Sequence, residues 1–590
     1  MKQFFKFMFA SMLGTILTIL IVFFLFMGLI MSIASYSEEQ AISIEPNTVL
    51  YMKLDAPVFD RTPRNPFEQF NFETLKPLEI IGLNDILNNL EKAAKDQNIK
   101  GIYLDLSIVP SGLATIKEIR DALIEFKQSG KFILCYANIM DQTAYYIASI
   151  ADEIYMNPEG MILFKGINAE VMFLKGTLEK LDIEMQIIRE GKYKGAIEPF
   201  TRKDLSEANR EQIDALIKGV WTQVAGGIAE SRNIDLYNLN LIADNLDVTD
   251  PNSALKHNFI DGIKYKDEFK ELLKSKLSLE EGKEIKTVSI SKYTHVTPPE
   301  KEKEYTRDRI AVVYGSGNII MGKGNNQTMG SDKIASAIRK AREDDHVKAI
   351  VFRVNSPGGD VLASDIIWRE VKLAAEIKPL VVSMGDVAAS GGYWVSTPAD
   401  KILADPLSIT GSIGVFGMFP NMQDFFNNLL GITFDQVMTN KNSDFGSINK
   451  PLSDFQEQLI ENEIDKIYKT FLQKVANGRN LEVDYVDSIA QGRVWIGSDA
   501  KRIGLVDELG GLKRSIHVAA ELAELSNYRL KELPVLKDPF EEFVNTIFGK
   551  PSGRIMQAEL GQYYEYFQYL KAVSESNGFQ ARMPFYIEFN

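Results

Sequence analysis

Most of this chain is written twice. Lys100–Leu106 (KGIYLDL) resembles Lys348–Val354 (KAIVFRV) at a spacing of 248 residues. Tyr145, Ala151-Asp152 and Pro158 fall against Tyr393, Ala399-Asp400 and Pro406 at the same spacing. Near the end of each copy, Phe259-Ile260-Asp261-Gly262 mirrors Leu505-Val506-Asp507-Glu508, with the spacing drifting to 246. Ordered matches at a nearly constant spacing over about 200 residues mean duplication of a whole domain, because solenoid repeats run only about 20–50 residues. A length of 590 residues suggests about three or four domains on its own. The repeat sharpens that to two copies of one domain plus terminal segments.

Each copy alternates short apolar runs with amphipathic stretches. In the second copy, Ile310–Tyr314, Ala349–Val354 and Pro379–Ser383 read as buried strands. Ser331–Asp344, opened by a serine cap, and Ser364–Glu376 read as helices between them. Strands alternating with helices of about 10–15 residues predict parallel βαβ units and an α/β fold. Longer helices are expected at Asp454–Ala476 and, in the first copy, Leu205–Glu230. The Lys- and Glu-rich stretch around Pro298-Pro299 buries little apolar surface and reads as the linker.

The N-terminus sets an address. Lys2 and Lys6 precede an uncharged stretch from Phe7 to Ser37, 31 residues long. About 20 apolar residues span a bilayer as a helix, and flanking lysines favour a cytoplasmic N-terminus. A secretory apolar region is usually about 7–15 residues, so a retained anchor is expected. Ser32-Ile33-Ala34 resembles a small-residue cleavage site, and cleavage stays open. The body beyond the anchor would then lie across the membrane.

Composition removes several chemistries. The only cysteine, Cys135, excludes a disulfide framework and a cysteine-based zinc cluster. The four histidines (His257, His295, His346, His517) are scattered, without a metal-ligating pair. The net charge of −14 argues against nucleic acid as a partner.

Two loops remain as candidates. Asn355-Ser356-Pro357-Gly358-Gly359 follows a buried strand, where α/β sites form, although Pro-Gly-Gly also serves a plain turn. Ser390, in Ala388-Ala389-Ser390-Gly391-Gly392-Tyr393, precedes a helix start, near free N–H groups that favour negative charge. A serine there is also a common helix cap. The duplication discriminates between these readings. At a spacing of 248, Ser390 falls on Gln142 and Gly391-Gly392 on Thr143-Ala144, so the first copy keeps the fold signals and lacks the serine. With no suitably placed histidine, a lysine is the alternative base for a serine nucleophile, provided desolvation keeps it neutral. The best candidate is Lys194, framed by Gly191, Tyr193 and Gly195. It faces Ser443 or Asn442 of the second copy, whereas Lys192 can face Lys441. A solvated surface lysine is the competing reading.

Laid out this way, the residues resemble the long bacterial form of the signal peptide peptidase A (protease IV) family. The resemblance covers nearly the whole chain. It rests most specifically on Asn355–Gly359, Gly385–Tyr393, Thr410–Val415 and Tyr193-Lys194-x-Ala196-x-Glu198-Pro199-Phe200. Gly492-Arg493-Val494-Trp495 and Gly504–Gly511 add to it.

The resemblance implies two tandem crotonase-like, ClpP-like α/β domains and a serine peptidase with a Ser-Lys dyad. Ser390 would be the nucleophile and Lys194 the general base. Oxyanion donors would come from Gly391 and the Gly358-Gly359 turn. Ser412, whose first-copy counterpart is Phe164, would position the lysine. No cofactor or metal is expected. Expected partners are peptide substrates, including signal-peptide remnants, and a homotetramer, with no nucleic acid.

The expected organisation is a signal anchor at 1–40 (span about 7–34), a first repeat at 45–285, a linker at 286–308, a second repeat at 309–535 and a tail at 536–590. The expected location is the bacterial inner membrane, single-pass, with the catalytic domain on the periplasmic side. Two rival classes remain: a non-catalytic scaffold whose Ser390 only caps a helix, and an acyl-CoA enzyme with Asp360 as its acid/base group.

Overall fold

The computed structural model describes residues 2–36, 43–63, 70–71, 76–77, 80–280, 282–297, 306–325, 327–536 and 578–583. Each copy builds a parallel sheet, and the two sheets share one strand order. In the first it runs Gly262–Ile263, Glu153–Ile162, Phe132–Met140, Ile99–Asp105, Thr48–Met52, Thr287–Ser289. In the second, the matching strands run Glu508–Leu509, Lys401–Ala404, Leu380–Ala389, Val347–Ser356, Arg309–Ser316, Arg529–Leu533. The edge strand Thr287–Ser289 lies inside the stretch expected to be linker. It pairs with Thr48–Met52, and the short helix Ile290–Tyr293 behind it ties down Asn89 and Asp96.

Central strands such as Val347–Ser356 are buried on both faces, which explains their near-continuous apolar sequence. Helices Ser331–Glu343 and Val361–Ala375 cover one face, and Leu512–Leu522 packs on the other. The expected cap at Ser331 is corrected. Gly330 occupies the N-cap, and Ser331 Oγ instead accepts from Gly322 N at 3.0 Å.

A third sheet joins the copies. Glu184–Glu190, from the first copy, pairs antiparallel with Val415–Asn421 of the second over seven residue pairs. The chain therefore carries the Lys194 segment out of its own copy and lays it beside the other. Helix Glu207–Arg232 then returns to the first core, where Leu216, Val220 and Val224 are buried.

One ionic cluster pins the two copies together. Arg353, wholly buried on its central strand, donates to Asp60 at 2.7 Å and Glu118 at 2.8 Å, both from the first copy. It also donates to Ser383 Oγ at 3.0 Å and the Met384 carbonyl at 3.1 Å. Burial holds the Glu118 carboxyl above its ordinary range, against the pull of Arg353. Nearby, Asp386 accepts from Thr115 N at 2.9 Å and Thr115 Oγ1 at 2.7 Å.

The first helix, Lys2–Tyr36, is 35 residues long. Among the residues whose side chains are described, no helix is long and apolar enough to cross a membrane; the side chains of most of this helix's second half lie outside them. Of the expected tail, 536–590, only residue 536 and the strand Gly578–Arg582 with Met583 are described.

Candidate active site

The strand Leu380–Ala389 runs directly into Ser390, so no loop separates the sheet from the serine. Ser390 has φ 54° and ψ −113°, a conformation that non-glycine residues rarely adopt. Such strain costs on the order of 1–3 kcal/mol and persists only where the surroundings impose it. Here Ser390 N donates to the Gly411 carbonyl at 2.8 Å, and Trp394 N donates to the Ser390 carbonyl at 2.8 Å.

Ser390 sits at the N-cap of helix Gly391–Ser396, yet its side chain makes no capping hydrogen bond. The first copy supplies the control. At the start of its equivalent helix, Gln142–Ala148, Asp141 does cap, accepting from Ala144 N at 2.6 Å. Gln142, the expected counterpart of Ser390, holds the loop at Lys165 and Gly166 instead.

The Ser390 hydroxyl faces Lys194, whose Nζ lies 2.8 Å from Ser390 Oγ, 3.0 Å from Ser412 Oγ and 3.0 Å from the Ser412 carbonyl. All three residues are fully buried. Every one of these partners is neutral. Burial alone therefore pushes the Lys194 ammonium well below the ordinary lysine range. Lys192, two residues earlier, is exposed and lies over the Tyr193 ring.

A second-copy segment clamps both sides of this contact. Gln491 O accepts from Tyr193 N at 2.7 Å, and Arg493 O accepts from Ser412 N at 2.7 Å. Gly492 between them has φ +80°, and a methyl group there would lie 2.6 Å from Lys194 N. The backbone must approach this closely for the lysine to reach its neighbours, which requires glycine at that point. Sequence reasoning noted Gly492-Arg493 only within the resemblance; its role as a clamp needed the fold.

The glycine turn lies alongside. Gly391 N opens a helix and has no intrahelical acceptor. A methyl group on Gly358 would lie 2.6 Å from that nitrogen, so the turn and the helix start are adjacent. The two turn glycines are not equivalent. Gly358 N donates to Ser356 Oγ at 3.2 Å, whereas Gly359 pairs with Ile319 in the strand Gly358–Asp360. Asp360 accepts from Ala363 N at 2.7 Å as the cap of Val361–Ala375, which leaves it a structural duty.

The hydrogen bonds of Lys194 Nζ run to Ser390 and Ser412, and no cluster of metal-ligating side chains occurs among the described residues. A buried hydroxyl beside a desolvated amine, with backbone N–H groups at hand, has the parts for nucleophilic attack on a carbonyl.

Comparison with known proteins agrees with this chemistry. The model of peptidase family S49 matches residues 125–280 and 372–526, one match in each copy, and a Clp protease model matches 301–402. Protease 4 of Haemophilus influenzae is 34% identical over 85% of this chain and 84% of its own. Protease 4 of Salmonella typhi is 37% identical over 76% and 73%, and the chloroplastic serine protease SPPA of Arabidopsis thaliana 34% over 80% and 70%. The fold and these matches define a serine peptidase, a hydrolase. The chain belongs to peptidase family S49, and its relatives make it a protease of the signal peptide peptidase A type.

Proposed function

We propose that the chain is a membrane-anchored endopeptidase that degrades cleaved signal peptides and other short apolar peptides through a Ser390–Lys194 dyad. The observation that carries the mechanism is the 2.8 Å contact between a fully buried lysine and a strained serine that declines to cap its helix. Neutral Lys194 takes the Ser390 proton as Oγ attacks the peptide carbonyl. Gly391 N–H and Gly359 N–H hold the oxyanion. As the C–N bond breaks, Lys194 passes that proton to the leaving amine, and, neutral again, it activates the water that opens the acyl-serine ester. Ser412 fixes Nζ from two directions. One copy supplies the base and the other the nucleophile, so neither half is active alone.

The substrate class rests on the relatives, among them a protein of Enterococcus faecium described as a putative signal peptide peptidase SppA, 33% identical over 29% of this chain. The anchor rests on the uncharged stretch Phe7–Ser37 within the helix Lys2–Tyr36 and the residue after it. With Lys2 and Lys6 inside, the body would face the periplasmic side of the inner membrane, next to signal-peptide remnants. A homotetramer is the assembly we expect.

The pH dependence tests the base. Activity should rise with pH through an apparent pKa well below the ordinary lysine value of about 10.4 and then level off. The stability linkage has the same sign. Between the two pKa values the unfolded chain binds the extra proton, so the cost of burying Lys194 shrinks as pH rises through that window and grows as pH falls. Flat activity into the acid range would exclude a lysine base.

Ser412→Ala removes one hydrogen bond to Nζ and keeps the carbonyl one. At about 1.5–3 kcal/mol for a bond to a charged or charging group, kcat should fall by roughly 10–100-fold. The acid limb of the pH profile should move as well. Unchanged kcat would leave Ser412 without a role.

A further inference from the structure

One buried side chain ties the Lys194 segment to the strands that lead into Ser390 and Ser412. Gln212 lies in the first turns of helix Glu207–Arg232 and is almost wholly buried. Its Nε2 donates to the Tyr193 carbonyl at 2.8 Å, next to Lys194, and its Oε1 accepts from Val494 N at 3.2 Å. Tyr193 belongs to the first copy and Val494 to the second. A carbonyl can only accept and an N–H can only donate, so the two partners fix the orientation of the amide. Asn209, one turn earlier on the same face and equally buried, also accepts from Nε2. It closes on Gly195 as well, where a methyl group would lie 2.4 Å from Asn209 Nδ2.

Both ends of this bridge lead to the dyad. Toward the base, Tyr193 N donates to the Gln491 carbonyl at 2.7 Å, so both backbone polar groups of Tyr193 are held. Toward the nucleophile, Val494 lies opposite Gly411 where Val494–Ile496 pairs antiparallel with Ile409–Gly411. The Gly411 carbonyl accepts from Ser390 N at 2.8 Å, and Ser412 follows Gly411 directly. A continuous bonded route from Lys194 to Ser390 therefore runs through this carboxamide. Nearby charges are engaged elsewhere. Glu211 accepts from Arg493 Nη1 at 3.0 Å and Tyr193 Oη at 3.2 Å, and Glu198 Oε2 accepts from Ser206 N at 3.0 Å.

We infer that Gln212 is a positioning residue of the peptidase: its carboxamide sets the lysine segment of the first copy against the serine strands of the second. This rests on the dyad reading above. The bonds of Gln212 go to backbone and to Asn209, so it acts through the Tyr193 backbone and not on the reacting atoms. A misplacement of about 1 Å costs about 10²-fold in rate. A loosened segment also admits water to Nζ, which weakens the desolvation that keeps the amine neutral.

The test compares kcat, KM and pH–rate profiles of the full-length wild type, Gln212→Met and Gln212→Glu on one short apolar peptide. Ser390→Ala is the reference for the dyad, and thermal unfolding checks the fold. Gln212→Met keeps the length and loses both bonds. Its kcat should fall about 10–100-fold with KM within about twofold, and its acid limb should move to higher pH. In Gln212→Glu the protonated acid donates to the Tyr193 carbonyl and accepts from Val494 N, so this variant should match the wild type best at the acid end. Its activity relative to the wild type should decline as the carboxyl ionises and the donor is lost. That decline decides the matter should Gln212→Met fail to fold. A kcat for Gln212→Met within about threefold of the wild type, or one that falls without moving the acid limb, overturns the inference. A flat ratio for Gln212→Glu does the same. Normal Gln212 variants beside an inactive Ser390→Ala would remove Gln212 alone and leave the dyad standing. An active Ser390→Ala would overturn the dyad and this inference with it.

Discussion

Ser390→Ala is expected to lower kcat/KM for peptide hydrolysis by about 10⁴–10⁶-fold, the range seen when a nucleophile–base unit is broken. Lys194→Ala should fall in the same range, and the double variant should lose little more. The geometry explains this non-additivity. Lys194 Nζ has no acid to neutralise and no water-exposed face, and its three partners are Ser390 Oγ and two atoms of Ser412. Without the serine, the lysine has no proton to take; without the lysine, the serine keeps its own. A fluorophosphonate that labels the wild type should fail to label either variant. Thermal unfolding should separate chemistry from folding, because Ser390→Ala removes one buried oxygen and also relieves no backbone contact. Retention of full activity in either single variant would remove the dyad from the mechanism.

Arg353→Met should be the most damaging change away from the site. The substitution preserves length and apolar volume but strands Asp60 and Glu118 in the boundary between the copies without a cation. Breaking a buried pair by removing one partner typically costs about 3–5 kcal/mol. Urea unfolding should show that loss. Activity should fall with it, because the same boundary sets the lysine against the serine. The triple variant Arg353→Met, Asp60→Asn, Glu118→Gln should recover part of the stability, since neutral groups no longer demand a counter-charge. A loss below about 1 kcal/mol in the single variant, the worth of a surface pair, would show that the cluster does not join the copies.

The duplication and the parallel sheets were legible in the sequence because buried parallel strands write themselves as apolar runs, and two copies write them at one spacing. Ser390 and Lys194, which the fold brings together, stood out for the opposite reason: neither has a counterpart of its own kind in the other copy. The crossing of Glu184–Glu190 into the second copy was not legible. Nothing local in those residues names a partner more than 200 positions away. The edge strand Thr287–Ser289 was hidden in a charged stretch because only Val288 of its three residues is buried. Gly578–Arg582 carries a glycine, a glutamine and an arginine and has no strand pattern of its own; the strands Gly358–Asp360 and Val415–Asn421 on either side give it one. Ser331 shows the limit of cap reasoning, since the serine-before-helix signal was present and the cap fell one residue earlier.

The sheet shared between the copies has a consequence for timing. The dyad partners are separated by 196 positions along the chain, and the strand that carries the lysine has no edge to pair with until Val415–Asn421 has been made. A ribosome therefore releases the whole first copy before any hydrolytic centre exists. The growing chain passes through most of its synthesis inert, and it becomes a protease only when a segment of its second copy pairs with one from its first.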